Sequence, residues 1–247
     1  MSSIYSLSDE IAIMRGIVPN AFIINKFGRS PDVDGPEDIW NGGGFYSGFP
    51  TGPAETLHIF SSSVNDTAAG TGLRTGRVYG EDNSYNLITE DVTLNGTSAV
   101  TTTQSFKRVY RFEGLTAGSN EFSVGDITVR HSTTTANVFA VVHAGFSHTN
   151  TSIYTIPAGY SGYLRDYSVA MNDTTANSAL IGFYVREFNA CARILFPTRV
   201  STDYRVERTF YGGYLFPEKT DIAMRVLSVA NTNADIVARF DLILFKN

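Results

Sequence analysis

Ala234-Asp235-Ile236-Val237-Ala238-Arg239-Phe240-Asp241-Leu242-Ile243-Leu244 is the stretch that decides how this chain folds. Ile236, Ala238, Phe240, Leu242 and Leu244 fall on one side, with Arg239 and Asp241 on the other. That is the period-2 alternation of a strand with one buried face. Reading backward, residues 204–211, 192–196, 180–188 and 163–171 carry strand patterns of the same kind, and Asn172-Asp173 ends the earliest of them. Ile153-Tyr154-Thr155-Ile156 runs into Pro157-Ala158-Gly159, a turn.

The pattern continues upstream with shorter strands. Val138 to Val142 is apolar on both faces, as in a buried sheet, and Ile127 and Val129 alternate with Thr128 and Arg130. Phe106, Tyr110 and Phe112 share a face opposite Lys107, Arg111 and Glu113, with Val109 as the exception. Val92 and Leu94 flank Thr93 and lead into Asn95-Gly96, a hairpin signal. Strands ten to fifteen residues apart with no helices between them predict an all-β chain, a jelly roll or β-sandwich. Two modules are expected, residues 56–150 and 151–247, with no internal repeat relating them.

Residues 1–55 read differently. Ser8, Asp9 and Glu10 are placed to cap a short helix that stops at Gly16, and residues 22–28 form a plausible strand. Pro31 and Pro36, with Gly35, Gly42, Gly43 and Gly44, then forbid regular structure. The expectation is an extended arm that docks on a neighbour through Ile23, Ile24, Phe27, Ile39, Trp40, Phe45 and Tyr46. Trp40, the one tryptophan of the chain, is the expected hot spot.

Composition narrows the function. Charged residues are 17% of 247, and net charge is −5, with no Lys/Arg run to neutralise a phosphate backbone, so nucleic acid is not an expected partner. No apolar stretch is long enough to span a bilayer as a helix, and no signal-peptide pattern opens the sequence. The Asn-X-Ser/Thr matches at Asn95, Asn150 and Asn172 are therefore read as chance. The single cysteine, Cys191, permits no internal disulfide and reads as a small buried hydrophobe. Tyr and Phe number 13 and 17, which suits sheets and subunit contacts.

No catalytic constellation emerges. His58, His131, His143 and His148 show no metal-ligand spacing on one element. Gly159-Tyr160-Ser161-Gly162 lacks both the spacing and the strand-turn-helix setting of a nucleophile elbow. Asp32, Asp34, Glu37 and Asp38 are read as acceptors for backbone N–H groups in a tight turn, with Ca²⁺ as the alternative, because Gly35 and Pro36 break the EF-hand order. No enzyme activity and no cofactor are expected.

Several blocks, in this order, resemble virion structural proteins of tailed phages and other aquatic viruses. They are Asn25-Lys26-Phe27-Gly28-Arg29, then Asp32-Val33-Asp34, Glu37-Asp38-Ile39-Trp40 and Gly42-Gly43. Next come Asp66-Thr67-Ala68-Ala69-Gly70-Thr71-Gly72 and Val92-Thr93-Leu94-Asn95-Gly96-Thr97. Tyr154-Thr155-Ile156-Pro157-Ala158-Gly159 and Pro217-Glu218-Lys219-Thr220-Asp221-Ile222 complete the series, so the resemblance spans nearly the whole chain. It departs at Arg77-Val78-Tyr79-Gly80-Glu81-Asp82, which is more polar than that pattern.

The resemblance implies a particle component located in the virion: a capsid decoration (cement) protein, a head fibre or a tail-associated protein. Its partners would be the major capsid protein or other virion proteins, and rotational closure of a jelly-roll shell protein implies a homotrimer. The alternative is a tail or fibre protein that binds host-surface glycan through Tyr160, Tyr163, Tyr211 and Tyr214.

Overall fold

The computed structural model describes residues 9–173 and 175–247; Ser8 and Thr174 lie outside them. Helix α1 (Asp9–Met14) stops at Gly16, whose φ of +69° is the left-handed turn that glycine adopts freely. Strands β1 (Ala21–Val33) and β2 (Glu37–Asp38) follow. Then come β3 (Leu57–Ser61), β4 (Leu73–Glu81), β5 (Leu87–Thr93), β6 (Val100–Thr101), β7 (Arg108–Ala117), β8 (Ile127–His131) and β9 (Val138–Val142). The chain ends with β10 (Ile153–Thr155), β11 (Tyr160–Met171), β12 (Ser178–Arg186), β13 (Ala192–Ser201), β14 (Val206–Phe216), β15 (Asp221–Val229) and β16 (Ala234–Lys246).

The all-β expectation holds: among the described residues sixteen strands stand against one six-residue helix. The strands form four small antiparallel sheets, which give the outline of a four-bladed, propeller-like ring. They are not wound blade by blade. One sheet runs β1-β16-β11-β14 and a second β10-β15-β12-β13, with β2 also on β15; neighbours come from distant parts of the chain. The other two sheets are β6-β3-β8-β9 and β5-β4-β7.

Two cores glue the sheets in pairs. In the larger body, Phe240, Leu242 and Leu244 of β16 pack with Leu164, Phe183, Val226 and Phe216 from both sheets. In the smaller, Leu57, Ile59, Val78, Phe112, Ile127 and Val142 pack from the remaining two. Each large buried side chain contributes roughly 1.5–3 kcal/mol, and that burial is the main force holding the sheets face to face.

The smaller body interrupts a strand of the larger one. Glu37 and Asp38 pair with Val226 and Arg225, while Ile153, Tyr154 and Thr155 pair with Ala223, Ile222 and Asp221. Between them the Ile39 N–H donates to Met224 O, and the Met224 N–H donates to Ser152 O. Thus β2 and β10 lie head to tail along one edge of β15, as a single strand into which residues 40–152 are spliced. The two ends of the splice touch, with Trp40 bridging Thr151. Gly28 lets them pass: a Cβ there would stand 2.4 Å from Ile39 O and 2.5 Å from Ser152 N.

Several expectations need correction. The stretch expected as an arm, residues 1–55, contains β1, which pairs with β16 from Ala21↔Phe245 to Val33↔Ala234. Its residues 21–39 belong to the larger body, and the longest irregular run is 41–56, apart from an isolated bridge at Glu55. The cause is a free edge on β16, whose backbone groups the 13-residue β1 satisfies. Asn95-Gly96 does not close a hairpin between paired strands, because β5 and β6 lie in different sheets. The Gly96 N–H instead donates to Asp66 O. Cys191 is exposed, next to the turn between β12 and β13.

Candidate functional site

The two bodies meet on the outer face of the β10-β15-β12-β13 sheet, whose Ile153, Ala223 and Tyr184 join the smaller body's core. Alternation along β12 and β15 sends Phe183 and Met224 inward, so Tyr184 and Ala223 point out at the inserted module. A chain of rings crosses the junction. Trp40 contacts Tyr46 at 5.0 Å, Tyr46 contacts Phe49 at 4.9 Å, and Phe49 stacks on Tyr184 at 6.1 Å. Trp40 Nε1–H donates to Gly44 O at 3.0 Å, and the Tyr46 hydroxyl donates to Val109 O at 2.9 Å. Gly42 is required beneath the indole, since a Cβ would lie 2.2 Å from it.

A buried ionic cluster adjoins the rings. Asp221 accepts a two-pronged pair from Arg108 at 2.8 and 3.0 Å and a bond from Arg186 at 2.6 Å, and the Thr155 hydroxyl donates to it at 2.8 Å. Arg108 comes from the inserted module and Asp221, Arg186 and Thr155 from the larger body, so this network fixes their relative position. Glu81 lies in the ladder opposite Arg108 with both carboxyl oxygens buried and without hydrogen-bond partners. Burial pushes its pKa well up, against the pull of Arg108. Lys107 donates to Thr51 O and Gly52 O, and burial, then neighbouring Arg108, lowers its pKa. Lys107, Arg108, Arg186 and Asp221 line a cleft of about 600 Å³ together with Tyr85, Phe188 and Lys219.

A second cleft, of about 380 Å³, opens where β1, β7 and residues 148–151 meet. Asn25, Lys26 and Phe27 come from the larger body; Tyr110, Arg111, His148, Thr149, Asn150 and Thr151 come from the inserted one. Lys26 occupies an inward position of β1, opposite Phe240 in the ladder, at the edge of the sandwich. Its Nζ donates to Tyr110 O at 2.6 Å.

The docking residues expected from sequence scatter. Ile39 is buried in the larger core and Ile24 packs on it, while Trp40 and Tyr46 are buried in the smaller. Trp40 therefore plugs its own chain. Ile23 packs with Ile13, Val18, Ala21 and Ile243 under the first helix. Phe27 and Phe45 stay exposed, the latter 4.8 Å from the Arg225 guanidinium. Asp38 is bound two-pronged by Arg225 at 2.7 and 2.9 Å and accepts the Tyr46 N–H at 2.9 Å. Glu37 accepts from the Gly44 N–H and Asp34 from the Asn233 N–H, while Asp32 is exposed. Among the described residues no three His, Cys, Asp or Glu side chains converge to hold a metal. Glu37, Asp38 and Asp34 thus accept backbone N–H groups, and Asp38 also holds an ion pair with Arg225. Tyr160, Tyr163, Tyr211 and Tyr214 do not form one platform, because Tyr214 packs on the core while Tyr211 is 99% exposed.

Sequence reasoning missed Arg108, Asp221, Arg186, Glu81 and Lys26. Lys26 had a signal, since it shares the inward parity of Ile24, which packs on the larger core. Asp66 was quoted only as part of a block. It is fully buried and accepts from Ser61 Oγ and from the N–H groups of Leu73, Val124 and Gly125. Gly72 leaves room for its carboxylate, which a Cβ would meet at 2.0 Å.

No protein-family model matches the sequence, and no curated protein does. Two solved structures are similar at a distance. One is described as "Structure of infectious bursal disease virus Gx strain", at 10% identity and TM-score 0.27, covering 92% of this chain and 72% of that one. The other is "Structure of infectious bursal disease virus Gt strain", at 9% identity and TM-score 0.22, covering 93% and 79%. Likenesses this remote carry no argument about the present chain.

Proposed function

We propose that the chain is a structural protein of a virus particle, a decoration (cement) protein that binds the outer shell. The carrying observation is the strand order of the larger body. Counting β2 and β10 as one strand, its eight strands lie as first-eighth-third-sixth in one sheet and second-seventh-fourth-fifth in the other. Within the propeller-like outline of the four sheets we read this order as a jelly-roll winding, an architecture common to viral capsids and lectins. Architecture alone does not fix function. The ordered blocks that resemble virion proteins, and a junction whose carboxylates and cations are largely absorbed in holding two modules together, favour the particle over the enzyme.

In this reading the larger body attaches to the shell and the inserted module projects from it. Subunit contacts, in a homotrimer, use the apolar end of the β1-β16-β11-β14 sheet. There Phe245 and Tyr163 touch at 5.6 Å, with Leu215 and Tyr211 exposed nearby. Mass spectrometry and immunogold labelling of purified particles test the assignment. Many copies at the shell surface are expected; absence from purified particles overturns it. Sedimentation of the purified chain is expected to give a trimer, and assays on polysaccharide, ester and peptide substrates no turnover.

A further inference from the structure

We propose that the 380 Å³ cleft between β1, β7 and residues 148–151 is a binding site for an acidic sugar, with Lys26 receiving its carboxylate. The inference goes beyond the particle assignment and does not depend on it.

Three observations meet there. First, no carboxylate among the described residues answers the Lys26 ammonium. The side chain is 9% exposed, its one hydrogen bond among the described residues goes to a carbonyl, and the charged neighbour acting on it is another cation, Arg111. An ammonium has three donors, so two remain for a ligand. Burial first, and Arg111 second, pull its pKa down to about 7, the mark of a cation without a counter-ion. Arg111 itself is paired with Glu113 at 2.7 Å and stands at the rim beside His148.

Second, the Thr151 hydroxyl is buried without a hydrogen-bond partner, in a residue only 6% exposed that lines the cleft. An orphaned buried hydroxyl is uncommon and costs desolvation energy unless a ligand or water completes it. Third, the rest of the lining suits a sugar rather than a bare inorganic ion. Asn150 offers an amide group, and Asn25, whose Nδ2 already donates to Asp241 Oδ1 at 2.8 Å, an amide oxygen, to match ring hydroxyls. Phe27 is 50% exposed and presents an apolar ring at the rim, the kind of surface on which a sugar's C–H face stacks. The 600 Å³ cleft is the weaker candidate, because its Arg108 and Arg186 are already held by Asp221.

The test is a titration of the full-length chain with N-acetylneuraminic acid, glucuronic acid, galactose and inorganic sulfate, followed by calorimetry and by the ¹³Cε resonance of Lys26. An acidic sugar is expected to bind and to raise the Lys26 pKa above about 7, and galactose is not. Lys26→Met should weaken acidic-sugar binding at least about tenfold, the worth of one charge-assisted hydrogen bond. That variant removes a buried charge, so thermal melting should show it folded. Phe27→Ala should weaken sugar binding and leave sulfate binding unchanged. No acidic-sugar binding, or sulfate binding as tightly as both acids with no effect of Phe27→Ala, overturns the proposal.

Discussion

The two bodies are built of the same strands and turns but relate to the sequence in opposite ways. The inserted module is continuous, with every strand from β3 to β9 inside one stretch and a core closed by its own residues apart from a few at the junction. The larger body is discontinuous: residues 21–39 must find 153–247 across the whole insertion. A continuous module can fold from local pairing, while the discontinuous one must close a long loop before its contacts form. The chain thus joins a module that can be independent to a body that needs both ends of the sequence.

The sharpest way to break that comparison is truncation. Removing residues 1–39 takes away β1 and β2, strips the edge of β16 and opens the larger core. The truncated protein is expected to aggregate or unfold in residues 153–247, while 40–152 expressed alone, which keeps Trp40, retains β circular dichroism and a cooperative melt. A soluble, fully folded product would return residues 1–55 to the role of an arm.

Next in size is the junction. Asp221→Ala leaves Arg108 and Arg186 without their carboxylate, and breaking a buried pair in this way costs about 3–5 kcal/mol. Urea unfolding should show the loss together with uncoupled transitions for the two bodies. Trp40→Ala should cost about 3–5 kcal/mol through lost packing. Phe45→Ala, on an exposed ring that keeps only its contact with Arg225, should cost no more than about 1 kcal/mol. Equal costs for the two would contradict the division between core plug and surface ring.

The smallest effect is a pH signature. The folded-state pKa of Lys26 lies below that of a free lysine, so between about pH 7 and 10.5 the unfolded chain holds the extra proton. Stability from this group therefore rises with pH across that window. Lys26→Met should be more stable than the natural protein at pH 6, with the gain vanishing as pH approaches 10. Glu81→Gln should behave in the opposite sense. The carboxyl's raised pKa makes the natural residue costly as pH climbs above the ordinary glutamate range, so the variant should gain at pH 8 and not at pH 4. Parallel pH profiles for variant and natural protein would refute either statement.

Strand identity was legible in the sequence because alternation is local: 236–244 predicted its own core face. Pairing was not, because β1 reads as a strand beside a Pro/Gly-rich loop, and nothing local says that its partner lies some two hundred residues away at Leu242. The same loop carried Trp40 and Tyr46, whose apolar character announced burial without saying against what. Polar residues in core-facing positions were the legible but unread signal for the junction. Lys26 follows Ile24 in register, and Arg108 is flanked by buried Phe106 and Val109. Asp221 and Glu81 could not be matched to their neighbours without the fold.

Residues 21–39 belong to the larger body through β1 and β2, and native-state amide hydrogen exchange on the full-length chain tests that most directly. The amides of β1 and of Ile39 should open together with those of β11, β15 and β16 at one common free energy, distinct from that of residues 57–142. Exchange of 21–39 at loop-like rates, while 153–247 stays protected, would contradict it.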